Sequence, residues 1–159
     1  MTAVSPDMAQ VILVTGGTGA GKTTHARTLA DAMGGVRFSI DDWTTDLFWM
    51  DAPVPPNFDW IMTRIDRCEI RIRAVAAQVL ARGVPVILDL GFTKTAHRQA
   101  FVSWAESLGC SVRIDHVDVP ADERWARVQI RNVQRGETFA MEVTREMFDF
   151  MEGEWEPLE

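Results

Sequence analysis

The stretch Gly16-Gly17-Thr18-Gly19-Ala20-Gly21-Lys22-Thr23 decides the fold, because it satisfies the pattern G-x-x-x-x-G-K-[ST] in full. Before it, Val11-Ile12-Leu13-Val14 is an apolar, mostly β-branched run that reads as a buried strand. After it, Thr24 to Met33 reads as a helix that ends at Gly34-Gly35. In that strand–loop–helix setting the glycines let the backbone curl until several N–H groups face one phosphate chain. The helix N-terminus adds its partial positive charge. Lys22 is placed for the β- and γ-phosphates and the Thr23 hydroxyl for Mg²⁺. The motif thus predicts a nucleoside triphosphate site with Mg²⁺. Its cradle runs through Gly16, Gly17, Thr18, Gly19, Ala20, Gly21, Lys22, Thr23 and Thr24.

The rest of the composition narrows what such a site serves. A chain of 159 residues is one domain with room for a core, and its 47% hydrophobic content is ordinary for a globular protein. No apolar stretch is long enough to span a bilayer, and Met1 to Asp7 lacks the basic start and apolar core of a signal peptide. A cytoplasmic protein is expected. The net charge of −7 argues against a long polyanionic partner such as nucleic acid, though not against a nucleotide. Cys68 and Cys110 are far apart and have no metal-ligand spacing, so both are expected reduced. His25, His97 and His116 have no partners at metal spacing and read as structural or surface residues.

Strand-like and helix-like segments alternate along the chain, as in an α/β domain with a parallel sheet. Val36 to Ile40 is a second strand, followed by Asp41-Asp42-Trp43 and a short helix from Thr44 to Met50. Phe58 to Ala81 is the longest helical pattern, with Ile61, Ile65, Cys68, Ile72, Val75, Val79 and Leu80 on one face. Val84 to Leu90 is almost wholly apolar and suits a central strand. Thr95 to Leu108 is a helix, Ser111 to Val119 a fourth strand, and Pro120-Ala121-Asp122-Glu123 opens another helix. That helix carries Arg124, Arg127, Arg131 and Arg135, the last three in one stripe. A last short helix is predicted over Glu142 to Met151.

Ligands of parallel sheets gather outside the carboxyl ends of the strands, and three features besides the phosphate loop fall there. Asp41 follows the second strand, where a carboxylate can orient an acceptor hydroxyl and take its proton. The other use of the Asp41-Asp42 pair is a helix N-cap; two adjacent residues allow Asp42 as cap and Asp41 as base. Asp89 ends an apolar run, the arrangement that holds Mg²⁺ directly or through water. The arginine helix, within about residues 121–140, suggests a lid whose Arg127 and Arg131 neutralise charge on the transferring phosphoryl group. Trp43, Trp49 and Trp60 fit either core or an acceptor-pocket wall.

Taken together, these residues resemble the small P-loop kinases of the nucleoside-monophosphate-kinase-like group. Within it the chain is similar to the AAA-domain ATP-binding proteins allied to zeta toxin, chloramphenicol phosphotransferase and the kinase domain of polynucleotide kinase. The likeness rests on 16–23, on Ser39-Ile40-Asp41-Asp42-Trp43, on Val86 to Phe92, on Arg124 to Asn132 and on Val143 to Phe148. It implies an α/β three-layer sandwich with a parallel sheet; many relatives add a fifth strand after the Glu-x-Pro segment, whereas this sequence stops at Glu159, so a sheet of about four strands is expected, with the fourth at an exposed edge. It also implies Asp41 as general base, Asp89 as the acidic residue after strand three, Arg127 and Arg131 as lid arginines and Arg98 as a substrate or phosphate contact. The segment from Thr138 to Thr144 should lie near the adenine. Thr44 stands where polynucleotide kinases carry an arginine.

The reading is a kinase, a monomer or homodimer, that phosphorylates a hydroxyl of a small molecule such as a nucleoside, sugar or antibiotic. Its acceptor pocket would comprise Asp41, Asp42, Trp43, the loop through Asn57, Arg64 and Arg67. The alternatives are a polynucleotide or RNA 5′-hydroxyl kinase and an ATP-binding switch or toxin-like module acting through a protein partner.

Overall fold

The structure, a computed structural model, describes residues 9–55, 57–136 and 141–159. In chain order the elements are β1 (Gln10–Thr15), α1 (Lys22–Met33), β2 (Val36–Ser39), α2 (Ile40–Phe48), a 3₁₀ turn (Trp49–Asp51) and α3 (Phe58–Leu80). They continue with β3 (Val86–Asp89), α4 (Thr95–Ser107), β4 (Ser111–His116), α5 (Ala121–Gln134) and α6 (Arg145–Glu154). The strands form one parallel sheet in the order β2-β3-β1-β4.

Alternation along the central strands builds three layers, because successive strand side chains point to opposite faces. Val11, Leu13, Val86 and Leu88 face one way and pack with Cys68, Ile72, Ala76 and Leu80 of α3 and Phe101 and Ala105 of α4. Ile12, Val14 and Ile87 face the other way and pack on Ala26 of α1. Burying each such aliphatic side chain is worth about 1.5–3 kcal/mol, so both helical layers are needed to cover the sheet. A separate cluster of Val128, Val143 and Phe148 joins α5 to α6. The sheet closes with β4 on an edge, paired only to β1 among the described residues, as expected for a four-stranded sheet. Among the described residues no helix is long and apolar enough to cross a membrane.

Several boundaries differ from the sequence reading, each for a local reason. α1 begins at Lys22, so the last residues of the motif are the first turn of the helix, entered through Gly21 at φ 90°. α2 begins at Ile40 because the Ser39 hydroxyl accepts the Asp42 N–H at 3.2 Å and caps it. The cap is therefore not Asp42, and both aspartates stand in the first turn of the helix. α6 starts at Arg145, three residues later than the pattern suggested, because the Thr144 hydroxyl caps it by accepting the Met147 N–H at 3.2 Å.

The segment after α6 lies against the loop that follows β3. The Glu156 N–H donates to the Thr93 carbonyl at 3.0 Å, the Thr95 N–H to the Glu156 carboxylate at 2.7 Å, and Trp155 stacks on His116.

Candidate phosphate and acceptor site

The site is assembled where β1, β2 and β3 end. The register sets Ser39 beside Asp89, and the phosphate loop leaves the neighbouring strand after Thr15. Gly19 and Gly21 hold left-handed backbone, φ 79° and 90°, that other residues resist. The Gly17 carbonyl accepts from the Ala20 N–H and from Lys22 Nζ, both at 3.1 Å, so the ammonium is held over its own loop.

Asp89 is the electrostatic centre. It is 7% exposed, accepts from the Thr23 hydroxyl, and receives Arg37 Nη1 at 3.2 Å. Burial pushes its carboxyl above the usual carboxylate value; the Lys22 charge opposes this, the Asp41 charge reinforces it, and Arg37 and the Thr23 bond oppose it further. Burial likewise pulls the Lys22 ammonium below its ordinary value, against the charges of Asp89 and Asp41 and with those of Arg131 and Arg124. Lys22 thus lies in the fields of Asp89, Asp41 and Arg131, and Asp89 in those of Lys22, Asp41 and Arg37. Thr23 and Asp89 present two hard oxygen donors side by side. That is the protein share expected of a Mg²⁺ whose other ligands are water and phosphate oxygens.

Arg37 is a site residue that sequence reading missed. Its guanidinium bridges Asp89 and Asp42, reaching the latter at 2.5 Å, with its side chain 13% exposed. On an alternating strand it reads as an outward polar residue; only the pairing of Ser39 with Asp89 puts Arg37 and Asp89 on one face.

The arginines of α5 divide. Arg124 is buried and donates from Nε to the Val119 carbonyl at 2.8 Å, from Nη1 to the Thr18 carbonyl at 3.3 Å, and through both Nη atoms to Glu152 at 2.6 and 2.8 Å. The first half of α5 therefore packs on the phosphate loop. Arg127 pairs with Glu123 at 2.6 Å and touches the Ala20 carbonyl at 3.4 Å. Arg131 bears on Lys22, and its buried Nε has no hydrogen-bond partner among the described residues.

Other expected contacts fall elsewhere. Arg98 is not placed to touch a substrate: it is 3% exposed, and its guanidinium is spent on the carbonyls of Phe92, Thr93, Glu156 and Pro157 and on the Thr95 hydroxyl. Trp43 is half-buried against the main core, tilted on Phe38 with ring centres 6.4 Å apart, so only its outer edge remains for a pocket. Arg67 is exposed on α3. The histidines have structural partners: His25 with Asp115 at 3.0 Å, His97 with Glu69 at 2.7 Å, and His116 under Trp155. Residues 138–140 of the segment expected near adenine lie outside the described residues; beyond them, the Asn132 side chain binds both the N–H and the carbonyl of Val143.

Solved structures share this architecture. A chain of the Pnkp1/Rnl/Hen1 RNA repair complex superposes with a TM-score of 0.72 at 18% identity over 92% of this chain; the match spans only 44% of that chain. Kti12 of Chaetomium thermophilum, in complex with ADP-AlF3, gives 0.68 at 18% identity, covering 92% of this chain and 80% of its own. The Mycobacterium tuberculosis APS kinase CysC, in complex with AMPPNP and APS, gives 0.60 at 15% identity, covering 81% and 73%. At these identities the likeness establishes a P-loop kinase-like fold. Among curated proteins no relative matches the sequence. The family described as AAA domain matches residues 11–158, which takes in the phosphate loop, Asp89, the arginine helix and α6, and the chain belongs to that family.

Proposed function

We propose that the protein is an ATP- and Mg²⁺-dependent phosphotransferase that moves the γ-phosphoryl group to a hydroxyl of a small molecule, a nucleoside, sugar or antibiotic. The observation that carries this is the place of Asp41. It stands in the first turn of α2, beside the strand end that pairs with Asp89, and its charge bears on both Lys22 and Asp89. The ADP-AlF3 and AMPPNP complexes of structures with the same fold support a nucleotide in the loop.

The loop amides and Lys22 would bind the phosphates, with Thr23 and Asp89 as ligands of Mg²⁺. The ion, when bound, offsets charge on the phosphate oxygens. Asp41 would orient the acceptor hydroxyl and receive its proton as the new O–P bond forms and the bond to ADP breaks. Arg127 and Arg131 would neutralise the charge spread over the transferring group. The acceptor would lie among Asp41, Asp42, the outer edge of Trp43, the loop through Asn57, Arg64 and Arg67.

The test is a mass-spectrometric screen with ATP·Mg²⁺ and pooled nucleosides, sugars, aminoglycosides and 5′-hydroxyl oligonucleotides. Asp41→Asn should lower transfer by about 100-fold or more, the usual worth of a general base, with ATP affinity retained. Unchanged turnover in that variant would refute the assignment. The likeness to a chain of an RNA repair complex favours a second reading, a polynucleotide 5′-hydroxyl kinase. Against it stand the net charge of −7 and Thr44, whose hydroxyl turns back onto the Ile40 carbonyl at 2.8 Å. Oligonucleotide binding that falls steeply with salt would support it.

A further inference from the structure

Helix α6 lies outside the motif, yet two of its consecutive residues bear on the phosphate loop, Met151 directly and Glu152 through Arg124. The Thr18 hydroxyl donates to Met151 Sδ at 3.4 Å. Glu152 grips Arg124 bidentately at 2.6 and 2.8 Å, and Arg124 in turn donates to the Thr18 carbonyl at 3.3 Å. The Arg124 side chain is only 9% exposed, and Val119 holds its Nε, so the guanidinium has one available pose.

The loop is shaped to that pose. A methyl group on Gly17 would sit 2.6 Å from Arg124 Cζ and closer still to Nη1; one on Gly19 would sit 2.6 Å from the Arg124 carbonyl oxygen. Gly17 occupies a position where the motif accepts any residue, and here the guanidinium excludes a side chain. A peptide unit is planar, with its N–H opposite its C=O. Arg124, by holding the Thr18 carbonyl, therefore sets the direction of the Gly19 N–H, one of the donors of the cradle.

We propose that Glu152 is a positioning residue for the nucleotide: through Arg124 it orients the Thr18–Gly19 peptide, so that α6 sets the affinity of the phosphate loop. This role rests on the reading of that loop as a nucleotide site. Arg124 in turn keeps the Glu152 carboxyl below its ordinary value, so the charge on which the grip depends is present at neutral pH.

The test uses the full chain with Glu152→Ala and Glu152→Gln. Calorimetric titration with MgADP and MgATP is read beside thermal melting and amide hydrogen exchange. Removing a hydrogen-bonded charge of this kind is worth about tenfold or more in affinity. Glu152→Ala should lose about that much for both nucleotides, and Glu152→Gln, which keeps the shape and one acceptor oxygen, should fall between it and the wild type. Exchange should rise in residues 16–21 while β1 and β3 stay protected, which a general loss of stability would not produce. Wild-type affinity within about twofold in a folded Glu152→Ala protein overturns the role alone. Unfolding of both variants also overturns it, since the pair would then be a fold determinant. If the wild type binds neither nucleotide, the underlying nucleotide reading fails, and this role with it.

Discussion

Replacing Arg98 by Met separates a structural arginine from a substrate-binding one. The side chain keeps its length and apolar stem but loses five donated hydrogen bonds of 2.8–3.2 Å. They do not all count equally. The Glu156 and Pro157 carbonyls lie on the terminal segment and can turn to water once released, whereas the Phe92 carbonyl is interior and, among the described residues, keeps only the Thr15 hydroxyl at 3.3 Å. Hydrogen bonds from a charged donor are worth about 1.5–3 kcal/mol each, so with one to two uncompensated the loss is about 3 kcal/mol. A domain of this size shifts its melting temperature by about 2–4 °C per kcal/mol, which gives a fall of about 6–12 °C. Thermal and urea unfolding measure this directly. Limited proteolysis should show the last residues, 155–159, cut faster, and MgADP affinity measured well below the transition should stay near that of wild type. A variant that melts within about 2 °C of wild type while its acceptor KM rises would refute the reasoning and return Arg98 to the substrate pocket.

Two further substitutions probe the loop and the carboxylate proposed to hold Mg²⁺. Gly19→Ala places a methyl group 2.6 Å from the Arg124 carbonyl oxygen and 2.9 Å from Val128 Cγ2, at φ 79°. Left-handed strain and overpacking together should cost about 2–5 kcal/mol and remove nucleotide binding, read by urea unfolding and MgADP titration. Asp89→Asn should stabilise the protein at neutral pH. The folded-state pKa of Asp89 lies above its unfolded value, so its favourable contribution exists below the unfolded pKa and is lost as pH rises through the folded one. Neutral pH therefore carries the full cost of the buried charge, which Asn removes. The advantage in urea midpoint should shrink towards about pH 4, while the Mg²⁺ dependence of ATP binding disappears. A less stable Asp89→Asn protein at neutral pH would contradict this.

Much of the architecture is legible in the chain because it depends on local periodicity. The unbroken apolar runs at 11–14 and up to Asp89, and the helical period over Phe58–Leu80, are local signals, and the structure repeats them within a few residues. The capping residues were harder to read. Ser39 and Thr144 outcompete nearby alternatives because their backbones are extended at the right moment, a choice that hydrophobic pattern does not encode. Arg98 misled for a different reason. Its distance along the chain from Asp89 resembles that of a ligand contact, but the five acceptors it serves come from two segments that meet only in the folded protein.

By itself the sequence determined the strand–loop–helix cradle, the carboxylate at the end of β3 and the α/β class. These follow from spacing within about ten residues, which fixed backbone geometry turns into shape. Only the tertiary structure decided which charges share a field. Arg37 joins Asp42 to Asp89 because β2 pairs with β3, and Arg124 joins Glu152 to Thr18 because α5 and α6 close over the loop. Electrostatic and hydrogen-bond partners act over a few ångströms of space, and residues 28 positions apart such as Arg124 and Glu152 become neighbours only through packing.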